Sequence, residues 1–206
     1  MKTRDKILQQ ARLLFNEKGL SLVSLRQIAK QLGMSDGNLR YHFKTKDELL
    51  QALYMELVGH FDQQIDSLSE EQALSMGHLF SSVQWTYRRL FAYRFFMLDF
   101  VNLCRQHPEI GGHFKQLQVM RRQQFLGLTE RFVSQGIMRP AAYLEEYQHL
   151  HDRMQVLSDF WLSSAEIVGV PAGTDPILHY SKINLSMIYP YLNPTAQAEM
   201  QAWLAS

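Results

Sequence analysis

The stretch from Ser24 to Phe43, SLRQIAKQLGMSDGNLRYHF, constrains this chain more than any other. Ser24 and Gln27 stand at the spacing of a capping box, in which each side chain satisfies a free backbone N–H at the other's position, so a helix is expected to begin here. Leu25, Ile28, Ala29 and Leu32 share one arc at about 3.6 residues per turn, and Arg26, Gln27, Lys30 and Gln31 fall opposite them. Gly33 is the expected stop, since glycine tolerates the left-handed conformation just past a helix end. Ser35 can cap a second short helix in which Leu39 and Phe43 point inward while Gly37, Asn38 and Tyr41 face out. Two short helices joined by a tight glycine-containing corner make a helix-turn-helix, whose second helix would enter a DNA major groove. There Gly37 lets the backbone approach closely, Asn38 offers both a donor and an acceptor to a base edge, and Arg40, Tyr41 and His42 can reach guanine edges or phosphate oxygens.

The same residues carry a family resemblance. The stretch resembles the DNA-binding domain of the TetR family of bacterial transcriptional regulators, whose pattern reads approximately T-x-x-x-I-A-x-x-x-G-V-S-x-G-x-L-Y-x-H-F-x-x-K-x-x-L. Ser24, Ile28, Ala29, Gly33, Met34, Ser35, Gly37, Leu39, Arg40, His42, Phe43, Lys46 and Leu49 stand at its positions. Ser24 and Met34 are mild departures. Arg40 replaces a tyrosine that touches the DNA backbone in the family, and an arginine keeps a phosphate contact while adding bidentate guanine recognition. The resemblance implies a DNA face of Ser24, Arg26, Ser35, Gly37, Asn38, Arg40, Tyr41, His42 and Lys46, the last as a phosphate contact in the first turn of the next helix.

Charge agrees with a polyanionic partner for this part of the chain. Residues 1–47 carry ten Lys/Arg against four Asp/Glu, a net of +6, whereas residues 48–206 carry eleven against sixteen, a net of −5. Binding should therefore weaken steeply with salt through counterion release. The single cysteine, Cys104, excludes an internal disulfide framework. No stretch resembles a signal peptide, and the most apolar run, residues 91–104, is interrupted by Arg94 and Asp99 and too short to cross a bilayer, so a cytoplasmic protein without a membrane partner is expected.

Helical periodicity continues to the C-terminus, with no strand alternation, repeat or low-complexity tract, and the expectation is an all-α fold of nine or ten helices. The first helix is expected over Thr3 to Lys18. Thr45 and Glu48 open a helix reaching toward Ser67, which would join a DNA-binding domain, residues 1–47, to a helical effector-binding and dimerisation domain, residues 48–206, without a flexible linker. Ser69 with Gln72 is read as the start of the next helix. The run FAYRFFMLDFVNLC is read as one buried short helix, with Gly111 and Gly112 as a turn after it. Pro140 is read as opening a helix over residues 141–168, followed by a helix over 175–189 and a last one from Pro194 to about Trp203.

For the body, the resemblance implies a small-molecule effector in a cavity and dimerisation through the last two long helices. Methionine and aromatic content suits an adaptable pocket for a small apolar or amphipathic effector. Trp85, Phe96, Phe100, Met120, Phe125 and Met154 are the candidate walls, with Asp99, Arg121 and Gln124 as polar groups that orient the ligand. Tyr147, Met154, Trp161, Tyr180, Ile183 and Met187 are the candidate subunit contacts. A homodimer is expected because a palindromic operator is read by a protein two-fold. His149 and His151 diverge by about 200° on a helix and make no metal site by themselves. Without HExxH, CxxC, a glycine-rich phosphate loop or G-x-S-x-G, neither an enzyme nor a cofactor is expected. The leading expectation is a homodimeric, ligand-responsive repressor; the competing one is a helical ligand-binding or protein-interaction module without DNA binding.

Overall fold

The structure, a computed structural model, describes the backbone of residues 2–68 and 75–205, and the side chains of these except 65–68. Among the described residues every element is helical: α1 (Thr3–Lys18), α2 (Leu25–Gln31), α3 (Asp36–His42), α4 (Lys46–Leu68), α5 (Met76–Ala92), α6 (Arg94–Leu98), α7 (Phe100–Gln106), α8 (Pro108–Ser134), α9 (Glu146–Val168), α10 (Pro176–Ser186) and α11 (Pro194–Ala205), with a single 3-10 turn at Tyr189–Tyr191. That is eleven α-helices where nine or ten were expected. The difference comes from the aromatic run, which breaks at Asp99 into α6 and α7. The run is not buried throughout as expected: Asp99 is exposed and accepts a long hydrogen bond from Asn102, and Leu98 and Val101 are exposed too.

The N-terminal caps form as their spacing requires. Gln27 N–H donates to Ser24 Oγ at 3.3 Å and Ser24 N–H to Gln27 Oε1 at 2.7 Å, closing both halves of the box. Asn38 N–H donates to Ser35 Oγ at 3.2 Å, and Gly33 adopts φ +65° at the corner between the two helices. The pair Ser69 and Gln72 lies outside the described residues; α5 itself begins at Met76, capped by Ser75, whose Oγ accepts from His78 N–H.

Two boundaries differ from the sequence expectation. Gly111 and Gly112 lie inside α8, which starts at Pro108, and the glycine at 111 serves close packing: a Cβ there would stand 3.1 Å from the Cys104 carbonyl oxygen. α9 begins at Glu146 rather than near Pro140, because the Glu146 carboxylate ties down the preceding loop. It accepts two hydrogen bonds from the Arg139 guanidinium, at 2.7 and 2.9 Å, and one from Ala142 N–H at 2.6 Å. Arg139 and Ala142 together hold its carboxyl well below the usual range, at about 2.

One core runs from head to body. Ile7, Ala11 and Phe15 of α1, Ile28 of α2, Leu39 of α3 and Leu49, Leu53 and Leu57 of α4 share a single cluster with Tyr93, Phe95, Phe96, Leu103 and Ile110. Phe15 meets Phe95 at 5.3 Å between ring centroids. Asn16 stitches the same junction: its amide nitrogen donates to Ala92 O at 2.8 Å and its oxygen accepts from Phe95 N–H at 3.1 Å, so it satisfies backbone groups on both sides of the α5–α6 corner. A second cluster joins α5, α8, α9, α10 and α11, and a third forms around Tyr87, Trp161 and Tyr180.

Candidate nucleic-acid interface and ligand cavity

The outer face of α3 is open. Asn38 and Gly37 are exposed, and Tyr41 is 84% exposed, although its ring carries enough apolar area to be worth burying. His42 is half-buried, its ring edge-on to Tyr41 at 5.3 Å. Arg40 is partly committed: it donates to Asp36 at 2.7 Å and to the Lys44 carbonyl at 3.1 Å, which fixes the end of α3. Ser24 and Arg26 are exposed at the start of α2, and Ser35 is exposed while capping α3. Lys46 departs from the pattern. Its ammonium turns back to the Leu20 carbonyl, over the Phe15 ring, so here it fastens the start of α4 to the α1–α2 loop instead of facing solvent with the others. Burial lowers its pKa, with Asp47 partly offsetting the effect.

Beyond the head, α4 to α10 surround a cavity of about 380 Å³, a size suited to a small organic molecule. Of the residues expected to line it, Phe96, Phe100, Arg121, Phe125 and Met154 do so. Trp85, Asp99, Met120 and Gln124 do not. Trp85 packs edge-on to Phe61 and under Arg89, while its helix neighbours Ser82, Val83 and Thr86 form the wall. Met120 sits about 100° and Gln124 about 60° round α8 from Arg121, and both are exposed, whereas Phe114, Leu117, Gln118, Arg121 and Phe125 follow the inward stripe.

The missed side of the cavity is α9: His151, Gln155, Ser158 and Asp159 line it together with Met154, and Asn184 joins from α10. A signal was there, since these polar residues interrupt a helix whose neighbouring positions, Leu150, Leu157, Trp161 and Leu162, are apolar. Asn184 is fixed by donating to the Met154 carbonyl at 2.8 Å and Ser158 Oγ at 3.2 Å. Asp159 accepts from Gln155 at 3.4 Å, and burial pushes its carboxyl up to about 6, against the small downward pull of that bond.

This shift carries a stability consequence with a definite sign. The native carboxyl binds its proton more tightly than the unfolded one, so wild-type stability falls as pH rises from about 4 through 6. Asp159→Asn is therefore expected to be more stable than wild type at pH 7–8, by ~1–2 kcal/mol after discounting for water reaching the cavity, with the gain vanishing below about pH 4. Thermal unfolding of both proteins across that pH range checks it; an unchanged or lowered midpoint at neutral pH would contradict the burial cost.

The expected subunit contacts divide in the same way. Trp161 is 1% and Tyr180 7% exposed, ring against ring at 5.3 Å inside the chain's own third cluster, so both are core residues, and Trp161 reaches the surface only as part of a groove wall on α9. Met154 faces the cavity, and Tyr147 packs on Tyr191 with its hydroxyl on the Arg139 carbonyl. Ile183 is exposed, Met187 half-buried, and next to them α9 leaves Val156 and Phe160 exposed around a shallow apolar groove that Met187 also lines. No helix among the described residues is long and apolar enough to cross a membrane.

Known proteins share this arrangement. A model described as bacterial regulatory proteins, tetR family, matches residues 7–53, and one described as bacterial transcriptional repressor, TetR, matches residues 45–200. The probable HTH-type transcriptional regulator YttP of Bacillus subtilis is 32% identical over 107 residues, 47% of this chain and 52% of that protein. The HTH-type transcriptional repressor KstR2 of Mycolicibacterium smegmatis is 32% identical over 31% of this chain and 33% of its own length. The chain thus spans about half or less of the curated relatives it matches. Among solved structures, a TetR-family regulator from Marinobacter aquaeolei superposes with TM-score 0.87 at 22% identity, covering 100% of this chain and 98% of that one. A transcriptional regulator from Saccharomonospora viridis, solved in complex with choline, reaches 0.68 at 20% identity, covering 90% and 94%. At these identities the likeness establishes the fold. With both family models matched, the second over most of the chain, this protein belongs to the TetR family of transcriptional regulators, which act by binding DNA and not as enzymes.

Proposed function

We propose that the chain is a homodimeric repressor that holds a palindromic operator through residues 1–47 and is released when a small apolar or amphipathic effector enters the cavity of residues 48–206. The observation that carries this reading is the double membership of α4. Leu49 and Leu53 belong to the core that supports α3, while Tyr54, Leu57, Val58 and Phe61 of the same helix form cavity wall. A ligand that displaces the wall must move the base of the DNA-reading head, and a coupling of ~1–3 kcal/mol suffices for a useful response. The relatives run the same way: they include repressors and, in one structure, a protein holding a bound small molecule.

Operator contact is assigned to Asn38, Tyr41 and Gly37 for bases, and to Ser24, Arg26, Ser35, Arg40 and His42 for backbone and neighbouring positions. Lys46 joins them only if its ammonium leaves the Leu20 carbonyl on binding. The second copy is assigned to the groove lined by Val156, Phe160 and Met187, with the exposed Ile183 one turn along α10 from Met187. An operator in the chromosome would place the protein in the cytoplasm.

Selecting bound DNA from a random pool is expected to return an inverted repeat. On that duplex, affinity should fall by orders of magnitude between low and physiological salt, and light scattering should give twice the chain mass. A monomer, or a retained sequence without two-fold symmetry, would overturn the dimeric reading.

A further inference from the structure

Two ionic side chains reach the cavity wall, Arg121 from α8 and Asp159 from α9, beside the imidazole of His151. Arg121 already has a counter-ion, donating to Asp62 at 2.7 Å and to Gln124 at 3.0 Å. His151 has the Asp152 carboxylate 3.3 Å from its Nδ1. Asp159 has nothing equivalent. Among the described residues no Lys, Arg or His nitrogen lies within 4.0 Å of it, and the residues outside that description contain no basic side chain. The one hydrogen bond it accepts comes from a neutral amide, Gln155, and is long at 3.4 Å. The nearby phenol of Tyr87 is held neutral by burial, its pKa raised to about 12.

A carboxylate removed from water without a cation is costly, and such groups are ordinarily paired. The rest of the wall mixes aliphatic and polar side chains with aromatic rings, among them Phe96, Phe100, Phe114 and Phe125, and aromatic faces also attract cations. Taking the cavity as the effector site proposed above, we infer that its effector is an organic cation: an ammonium head seated on the Asp159 carboxylate with an apolar body among the phenylalanines. A neutral ligand would bury Asp159 further without compensating it, and an anion would meet it as a like charge, so the same residue selects against both.

Two homologous series test this on the full chain near neutral pH by titration calorimetry: octyl and phenylbutyl bodies, each carried by an amine, an alcohol and a carboxylate head. In each series the amine is expected to bind at least about tenfold tighter than the alcohol, with the carboxylate weakest. Asp159→Asn should bring amine and alcohol together, while Asp159→Glu should keep the amine preferred. Alcohol or carboxylate binding as tightly as the amine, or a preference that survives Asp159→Asn, would overturn the cation assignment while leaving the cavity as the effector site. Failure of every member of both series to bind would overturn the cavity reading along with it. A thermal midpoint for each variant confirms that a lost preference is not lost folding.

Discussion

Tyr41→Ala is expected to weaken operator binding by ~2–6 kcal/mol while leaving the thermal midpoint where it is. The ring is 84% exposed, so the folded chain gains little from it and loses little without it. On the operator the same ring would become buried against sugar and base edges, at ~1–3 kcal/mol for a well-placed contact, and a homodimer presents it twice. Because a phenol displaces no counterion, the slope of affinity against salt should be unaltered. Fluorescence anisotropy on the selected duplex at several salt concentrations reads both quantities. Unchanged affinity would remove Tyr41, and with it the outer face of α3, from the interface.

The head was readable in the sequence because its determinants are local. A capping box at Ser24 and Gln27, a cap at Ser35 and a glycine with positive φ at 33 specify two helices and the corner between them within a dozen residues of chain, whatever the rest does. Lys46 shows where local signals stop: its position in the motif is clear, but the direction of its side chain depends on the Leu20 carbonyl, brought close only by the packed fold. The cavity was half-legible for the same reason. Phe96, Phe125 and Met154 are the kind of residue that lines a pocket, but whether a helix turns Arg121 or Met120 inward is a rotation of about 100°, fixed by partners distant in sequence. Trp161 illustrates the converse error. An apolar residue on a two-faced helix is equally compatible with a subunit contact and with a core, and Tyr87, Phe91 and Tyr180 decide for the core.

Phe95→Ala is expected to lower stability by ~3–5 kcal/mol, the range for a fully packed phenylalanine, and the melting midpoint by ~6–20 °C for a chain of this size. More informative is how the protein should unfold. Phe95 is 4% exposed, touching Phe15 of the head at 5.3 Å and Phe96 of the cavity wall at 4.5 Å, inside a cluster that runs unbroken from α1 to the start of α8. All three tryptophans lie beyond residue 48, so their fluorescence reports the body, whereas far-UV circular dichroism reports every helix. If head and body share one core, both signals should shift together in the variant and remain superimposable. A dichroism loss that precedes an unmoved tryptophan transition would mean that the head melts alone. In that case packing at Phe95 and Phe15 would not transmit strain, and effector entry would have to reach α3 through α4 by itself.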